Sequence, residues 1–299
     1  MRDRSLSYRT FTWFNYLILT LAGLITVYPY LNVLALALND ASDSAKGGIY
    51  LWPRMPTWDN FRLVLGSHTI VTAAVNSVMR VIVGTSLALM TQFAAAYAFT
   101  RKDLPGRTQL LLYLTIPMFF SGGLIPQYML YSKIHFINSF LVYVIPGMFS
   151  FFHMIVIRTY MNTIPSSLEE SAKIDGASEI TIFFKIMLPL SKPILATIAL
   201  WIAVSQWNDW TTTLYFILNQ KYYTLQYILV QMIKEGERMT AMIQEAQMQG
   251  LDTSSIVIHA SPEALKAAQV IITTLPIIAI YPFLQKYFIK GVMIGSVKE

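Results

Sequence analysis

The sequence predicts an all-α integral membrane protein with six membrane-spanning helices. Of its 299 residues, 55% are hydrophobic and only 13% are charged, whereas soluble domains carry about 25% charged residues. The mean hydropathy is +0.50, and the apolar residues are gathered into long runs. Because backbone polar groups in lipid must be satisfied within the segment, and because the alternating pattern of a membrane β-barrel is absent, we expect these runs to be helices.

Six apolar runs are candidates for the spans, and together they make residues 1–299 a single transmembrane domain. Each run supplies the roughly 20 residues that a helix needs to cross about 30 Å of hydrocarbon. The first run is longer than the apolar core of a signal peptide and no cleavage pattern follows it, so we expect it to remain as an anchor. The runs cover residues 12–38, 70–100, 108–130, 139–160, 194–214 and 267–289.

The distribution of lysine and arginine predicts the orientation. The amino end, the connections after the second and fourth runs, and the carboxyl tail would lie on one side of a six-span protein. Together they hold 13 of the 22 basic residues, and cytoplasmic segments carry such an excess. Both termini and residues 162–193 are therefore predicted to be cytoplasmic, and residues 215–266 extracytoplasmic. The net charge of +6 does not indicate a nucleic-acid partner, because the basic residues flank the spans instead of forming one patch.

The segment between the fourth and fifth runs is polar and helix-forming. Ser167 is the predicted N-cap, and Glu170, three residues later, would complete a capping box. Asp175-Gly176 predicts the end of this helix, since glycine tolerates the left-handed conformation of a C-cap. A second helical stretch is expected to follow and to end before Pro189. A short capped helix between two spans indicates a docking site for a soluble partner.

Enzymatic constellations are missing from the sequence. There is no G-x-x-x-x-G-K-[ST] segment to hold ATP phosphates. The chain has no cysteine, which excludes disulfides and thiolate metal ligands and leaves the redox compartment open. The histidines lack the spacing of a metal site. We therefore expect no catalytic residue, metal site or cofactor in this chain. The four histidines are His68, His135, His153 and His259.

Polar side chains inside the apolar runs form a candidate solute path, because burying them in lipid is costly. Arg80 either pairs with Asp209 or snorkels to the interface, or else it lines a wet path for an anionic or hydroxylated solute. Gln92 either forms a hydrogen bond between helices or contacts the solute. Both readings of each residue stay open at this point.

The sequence Trp207-Asn208-Asp209-Trp210 adds aromatic, amide and carboxylate groups near the outer end of the fifth run. Sugar sites combine such groups, but tryptophan at a span end is also typical of the interfacial belt, which we favour for Trp210. Asn208 and Asp209 fit a cavity or subunit interface as well as simple helix capping. The candidate solute path therefore comprises Arg80, Gln92, Trp207, Asn208 and Asp209.

Several helix breakers lie in or near the third and fourth runs. They are Pro117, Pro126, Pro146 and the pair Gly122-Gly123. Such residues kink a helix and can open space in a bundle. Kinking without any solute site is the simpler expectation.

The polar segment resembles the EAA loop of ABC-importer permeases. Glu170-Ser171-Ala172, Gly176 and the sequence IMLP at 186–189 match the spacing of that loop, with Ser171 where the family usually has alanine. We call residues 162–193 the EAA loop. The resemblance extends over nearly the whole chain, and the tail is similar to the maltose-type branch associated with complex polysaccharide fragments. The further matching stretches are residues 96–107, 121–126, 207–210 and 281–298.

The resemblance implies a permease subunit of an ATP-driven importer in the bacterial cytoplasmic (inner) membrane. Its partners would be a second homologous permease subunit, two ABC ATPase subunits that bind ATP and Mg²⁺, an extracytoplasmic solute-binding protein and membrane lipid, with no nucleic acid. The cargo would be an oligosaccharide, and the positive charge permits an acidic one. Residues 291–298 would reach the ATPase interface, and residues 215–266 would contact the binding protein. The ATPase-docking residues would be Glu169, Glu170, Ser171, Ala172, Asp175, Gly176 and Ala177.

The alternative class is an ion-coupled secondary carrier. Such carriers often hold acidic residues near the middle of the membrane. Here the acidic residues fall in loops or at span ends, with Asp209 as the nearest exception. The sequence therefore favours the importer permease over the carrier, and over a membrane enzyme.

Overall fold

The computed structural model describes residues 6–248 and 262–293. Within these ranges the chain is helical, with one isolated antiparallel bridge between Asn39 and Pro56, which confirms the all-α prediction. The helices are α1 (Leu6–Ala37), α2 (Ala41–Ser44), α3 (Asp59–Gly66), α4 (His68–Thr100), α5 (Arg107–Phe119), α6 (Leu124–Lys133), α7 (Leu141–Val144), α8 (Phe151–Met161), α9 (Ser166–Ile174), α10 (Glu179–Ile182), α11 (Leu188–Leu190), α12 (Lys192–Asn208), α13 (Thr211–Phe216), α14 (Leu225–Met248) and α15 (Pro262–Met293). A π-helical segment, Phe183–Met187, joins α10 to α11, and a 3-10 turn, Gln220–Tyr222, follows α13.

Three of these helices are long and apolar enough to cross a membrane by themselves, judged over the described ranges. They contain the segments Tyr8–Ala37, His68–Thr100 and Glu263–Ile280. Two further pairs pass the same test only when taken together, and each pair is sharply bent. By length and composition the described residues therefore offer three to five crossings, and the predicted total of six stays a prediction.

The third apolar run is not one continuous helix: α5 and α6 pass as a span only when taken together, so the span at 108–130 stays a prediction. Helices α5 and α6 meet at an angle of 114°. Pro117 lies inside α5, whereas Phe120 is extended and Gly123 has φ +83°. Left-handed backbone of this kind favours glycine. The break is therefore made by the Gly122-Gly123 pair and not by the prolines.

The fourth run, 139–160, is also divided. Helix α7 has four residues, and the segment containing Pro146 and Gly147 separates it from α8. Proline removes a backbone donor and disfavours helix at the residue before it. Ser150 then caps α8 by accepting a hydrogen bond from the His153 backbone N–H at 3.4 Å.

The fifth run begins as predicted, but its helix α12 stops at Asn208, six residues early. Asp209 is extended, and α13 starts after Trp210. At its other end α12 is bent by 76° from the helical segment Glu179–Leu190. Helix α14 follows Thr224 and runs from Leu225 to Met248, the last described residue before the gap.

The chain divides into two compact units, residues 1–70 with 229–275 and residues 71–228 with 276–299. In the first unit, the buried Asn39 side chain organises the segment after α1. Its amide donates to Asp43 Oδ2 at 3.1 Å and its oxygen accepts from the Met55 N–H at 2.7 Å. Asn60, also buried, donates to the carbonyls of Ala37 and Asn39.

The second unit contains the candidate site and has two apolar cores. The larger one is formed by buried residues of α4, α8 and α12 together with the second half of the EAA loop, which contributes Ile182 and Met187. The smaller core gathers Tyr131, Tyr143 and Phe216 from α6, α7 and α13. The EAA loop is thus built into the body of this unit.

Candidate functional site

Helix α9 is the short helix that the sequence predicts in the EAA loop. It begins at Ser166, and Pro165 occupies the N-cap position without a side-chain cap hydrogen bond. The predicted Ser167–Glu170 capping box is therefore wrong, because the helix starts early enough to place Ser167 inside its first turn. A proline with φ −58° enters a helix without needing a donor of its own.

The carboxyl end of α9 forms the turn that the sequence predicts. The Ala177 N–H donates to the Ala172 carbonyl at 2.9 Å, and the Gly176 N–H donates to the Lys173 carbonyl at 3.0 Å. Gly176 has φ +79°. This pair of bonds with a left-handed glycine is the Schellman motif. It fixes the direction in which the chain leaves α9 towards α10.

The predicted docking residues divide into two groups. Ala172 and Ala177 pack against the larger apolar core, and Glu169 is half-buried in an ion pair with Arg101. The remaining residues, Glu170, Ser171, Asp175 and Gly176, are exposed. They share the surface with Leu168 and with Ile174, whose exposed fraction is 87%.

Arg101, the first residue after α4, holds both halves of the EAA loop. Its Nη1 pairs with Glu169 in α9, and its Nη2 lies 3.2 Å from Glu179 Oε2 in α10. Glu179 also accepts from Lys173 Nζ and from the Tyr97 hydroxyl, each at 2.8 Å. Hydrogen bonds from Lys173 and then Tyr97 lower the pKa of the Glu179 carboxyl. We call these five residues the Arg101 cluster.

Sequence reasoning missed the Arg101 cluster. The sequence places Arg101 in the basic connection after the second span and in the family-like stretch 96–107, and Glu179 in the second helical stretch, and it predicts no contact between them. A carboxylate three residues beyond the left-handed glycine was the available signal, since the Schellman turn brings such a residue back towards the start of the loop.

The last turn of α4 is held by two further arginines. Arg107 Nε and Arg158 Nε both donate to the Phe99 carbonyl, at 3.0 and 2.9 Å. Cations near a helix carboxyl terminus also complement its dipole. Helices α5 and α8 are thereby bonded to the end of α4 beside Arg101.

The helical stretch after Gly176 continues past Pro189, contrary to the expectation that it ends before it. The π-helical segment Phe183–Met187 precedes the proline, and α11 contains it at its second position. Pro189 lies at the carboxyl end of the helical stretch Glu179–Leu190, with only Leu190 after it, so the helix does not have to continue beyond the proline. The EAA loop is therefore helical up to Leu190.

Arg80 lies in α4 and is almost completely buried, with 3% exposure. It forms an ion pair with the Asp209 carboxylate, and its Nη1 donates to the Asp209 carbonyl at 2.9 Å. Its Nε donates to Gln206 Oε1 at 2.7 Å, and the guanidinium lies 4.6 Å from the centre of the Tyr143 ring. The pairing of Arg80 with Asp209 is present in the structure, and Arg80 also lines a cavity, so its role in a solute path stays a prediction.

Asp209 also caps α13. Its Oδ1 accepts from the backbone N–H groups of Thr211, at 2.9 Å, and Thr212, at 3.2 Å. Gln206 lies between two glycines: a Cβ at Gly84 would come within 3.0 Å of Gln206 Nε2, and one at Gly147 within 3.2 Å. These glycines leave room for the side chain that orients Arg80.

A polar cavity of about 270 Å³ surrounds this ion pair. Drug-sized ligands occupy pockets of about 300–1,000 Å³, so the cavity is small for an oligosaccharide. We call it the Arg80 cavity. Besides Arg80, Gln206 and Asp209, its walls include Gln127, Tyr131, Tyr143, Ser205 and Thr212.

The other predicted path residues do not all converge on this cavity. Gln92 is buried and donates to the Met148 carbonyl at 3.4 Å, so it joins α4 to the segment before α8. Trp207 lines a separate apolar cavity. Asn208 is exposed and donates to the Val204 carbonyl at 3.0 Å. It lines an open groove of about 770 Å³ with Trp201 and Trp210.

Comparison with known proteins decides the family. Residues 88–294 match the family described as binding-protein-dependent transport system inner membrane component. The chain belongs to this family. The match contains the EAA loop, the Arg101 cluster and all of α12, so the loop geometry described above is that of an ABC permease.

Curated relatives and solved structures support the assignment over nearly the full length. Protein LplC of Bacillus subtilis is 35% identical over 97% of this chain and 95% of its own. The polygalacturonan/rhamnogalacturonan transport system permease protein YtcP of the same organism is 33% identical, covering 97% and 99%. A chain from the crystal structure of a bacterial ABC transporter involved in the import of the acidic polysaccharide alginate superimposes with a TM-score of 0.84 at 25% identity, covering 96% and 100%.

Proposed function

We propose that this chain is one permease subunit of an ATP-driven importer that moves an oligosaccharide, delivered by a solute-binding protein, across the bacterial cytoplasmic membrane. ATP and Mg²⁺ would be bound by separate ATPase subunits. Family membership favours this function over an ion-coupled carrier. The single observation that carries the proposal is the EAA loop, whose helix is anchored on one side and exposed on the other.

The anchored side of α9 makes it suitable for transmitting force. Ala172, Ala177 and Glu169 fasten the helix to the second unit, while Leu168, Glu170 and Ile174 face outwards. Ile174, 87% exposed, and Leu168, 44% exposed, add apolar surface to the exposed polar groups of the helix. These outward residues would seat in a cleft of an ATPase subunit.

The cargo class is inferred from the names of relatives, and the need for a second permease subunit is inferred from the size of the Arg80 cavity. YtcP is named for polygalacturonan and rhamnogalacturonan transport, and the matching crystal structure is of an alginate importer. We propose an acidic saccharide fragment for this chain. Since a cavity of about 270 Å³ is small for such a fragment, the second permease subunit would complete the path.

The orientation remains part of the proposal. Both termini and the EAA loop would be cytoplasmic, and the segment 215–266 would meet the binding protein outside. Helix α14 belongs to that outer segment, of which residues 249–261 lie outside the described residues. In the tail predicted to reach the ATPase interface, residues 294–298 also lie outside them.

Co-purification tests the proposal. Glu170→Lys reverses an exposed charge on α9, and Gly176→Val strains a residue with φ +79°. Each variant, co-expressed with the partner subunits, should insert normally but lose the ATPase from the purified complex. Matched controls lie in the predicted outer segments: Glu237→Lys is an exposed charge reversal, and Gly47→Val replaces a glycine with φ +71°. Normal ATPase recovery from both EAA-loop variants would refute the docking role.

The cargo is tested separately. The cognate binding protein should bind uronic oligosaccharides more tightly than neutral ones of equal length in titration calorimetry. ATP-dependent uptake into proteoliposomes should show the same preference. Tighter binding of neutral oligosaccharides would contradict the acidic cargo while leaving the importer function intact.

A further inference from the structure

We propose that Arg101 is the positioning residue that links the EAA loop to α4, so that a displacement of the loop is passed along α4 to the Arg80 cavity. The inference rests on the proposed docking of the loop to an ATPase. Beyond that docking, it names Arg101 as the contact, α4 as the connecting helix and the Arg80 cavity as the region that responds.

The first step is that Arg101 contacts the loop on both sides of its turn: Nη1 pairs with Glu169, and Nη2 lies 3.2 Å from Glu179 Oε2 as an ion pair without a hydrogen bond. Glu169 lies in α9 and Glu179 lies in α10, and the Schellman turn at Gly176 fixes these two segments relative to each other. A planar guanidinium presents several donors in a rigid fork and can hold two carboxylates at once. The loop therefore cannot shift past the end of α4 without moving Arg101 or breaking both contacts.

The second step is that the contact between Arg101 and Glu169 is partly shielded from water, whereas the Glu179 side chain is 54% exposed. The Arg101 and Glu169 side chains are only 23% and 18% exposed, and the guanidinium lies 4.2 Å from the centre of the Tyr97 ring. Partly buried pairs are screened by salt much less than exposed ones. Tyr97 belongs to the last turn of α4, so it ties Arg101 back to the helix that Arg101 follows.

The third step is the continuity of α4. This 33-residue helix contains no proline, and its last turn is fastened by Arg107 and Arg158 at the Phe99 carbonyl. At 1.5 Å per residue, about 30 Å of helix separates Arg101 from Arg80. Arg80 in turn is bonded to Gln206 and Asp209. A shift of the α4 end therefore reaches residues that line the cavity.

The absence of cysteine from the sequence permits a direct measurement. Ser205→Cys places one thiol on the wall of the Arg80 cavity. The full complex, with its second permease, ATPase and binding protein, is reconstituted. The rate at which a soluble maleimide labels this chain, separated from its partners after the reaction, is compared with and without Mg-ATP. We expect ATP to change the rate, and Arg101→Gln to reduce that change at least about fivefold, the lower range of allosteric coupling.

Matched variants separate coupling from folding. Lys102→Gln removes the neighbouring charge, which is exposed, and should leave the ATP-dependent change intact. Arg101→Lys keeps the positive charge but lacks the forked donors of a guanidinium, so the ATP-dependent change in labelling rate should lie between those of the wild type and Arg101→Gln. In Arg101→Gln, the ATPase should still co-purify and still hydrolyse ATP.

Three results of the labelling experiment would overturn the link. The ATP-dependent change could persist in Arg101→Gln, it could be equally lost in Lys102→Gln, or it could be missing from the assembled Ser205→Cys complex. Loss of the ATPase from Arg101→Gln alone would also overturn it, because Arg101 would then be needed for docking. If the ATPase never associates with the unsubstituted EAA loop, the proposed function itself fails, which is a different outcome.

Discussion

Arg80 and Arg101 are two arginines on one helix, and they are used in opposite ways. Arg80 is 3% exposed and is bonded to Asp209 and Gln206, residues of one short segment at the end of α12. Arg101 is 23% exposed; it pairs through Nη1 with Glu169 and lies at ion-pair distance, without a hydrogen bond, from Glu179 in the other segment of the EAA loop. The buried Arg80 binds one short segment, whereas the more exposed Arg101 contacts two segments of the EAA loop.

The difference follows from the surroundings of each charge. A buried ion pair is weak evidence for added stability, but removing one partner leaves an uncompensated charge and is strongly destabilising. A half-exposed pair contributes less, because water and salt compete for it. Loss of the Arg80 pair should therefore damage the fold, while loss of the Arg101 pairs should damage communication.

Asp209→Asn should have the largest effect on stability. It keeps a group that can accept from Thr211 and Thr212 but leaves Arg80 buried without its counter-charge, which we expect to cost roughly 3–5 kcal/mol. The yield of monodisperse permease in detergent and its thermal unfolding midpoint measure this. Adding Arg80→Met should recover much of the loss. If Asp209→Asn is as stable as the wild type, the Arg80–Asp209 ion pair is not what holds α4 to the end of α12.

Gly84→Ala should come next. The new methyl group would meet Gln206 Nε2 at 3.0 Å and displace the side chain that orients Arg80, at a cost of about 1–3 kcal/mol for an overpacked site. Gly66→Ala is the matched control, because this helical glycine has nothing within 4 Å of the added Cβ. The same unfolding assay applies. Equal midpoints for the two variants would mean that Gln206 relaxes freely.

Arg101→Gln should change the unfolding midpoint less than Asp209→Asn or Gly84→Ala. Exposed and half-exposed pairs are worth about 1 kcal/mol or less each, and the Schellman turn and the apolar core remain. The comparison with Asp209→Asn is made in one detergent at one salt concentration. A destabilisation as large as that of Asp209→Asn would remove the contrast between the two arginines.

The pH dependence of the Arg101 cluster should be the smallest effect. Hydrogen bonds from Lys173 and then Tyr97 lower the pKa of Glu179, so its contribution is present above the unfolded-state value and is lost as pH falls through the lowered one. Unfolding midpoints of wild type and Glu179→Gln should therefore differ at neutral pH and converge only on acidification below the usual glutamate range. Convergence already at neutral pH would contradict the ion pair.

The all-α membrane class and the end of α9 could be predicted from sequence, since each depends on local signals: apolar length for the class and a left-handed glycine for the end of the helix. The interruptions of the third and fourth runs could not be predicted. A hydropathy pattern does not distinguish a slight bend at the Gly122-Gly123 pair from the bend of 114° that is present. For the site, the pairing of Arg80 with Asp209 was among the predicted alternatives. The Arg101 cluster was missed because it joins residues up to 82 positions apart in sequence.

The π-helical turn at Phe183–Met187 has a consequence for chain length. Each residue of a helix advances the side chains by about 100° around the axis, and a wider turn accommodates one residue more than an α-helical turn would. Deleting one residue within Phe183–Met187 is therefore expected to close the turn to an α-helical one and to leave the residues on either side in phase. Glu179 would then keep its direction towards the Arg101 guanidinium, so this stretch should tolerate the loss of one residue better than a continuous α-helix would.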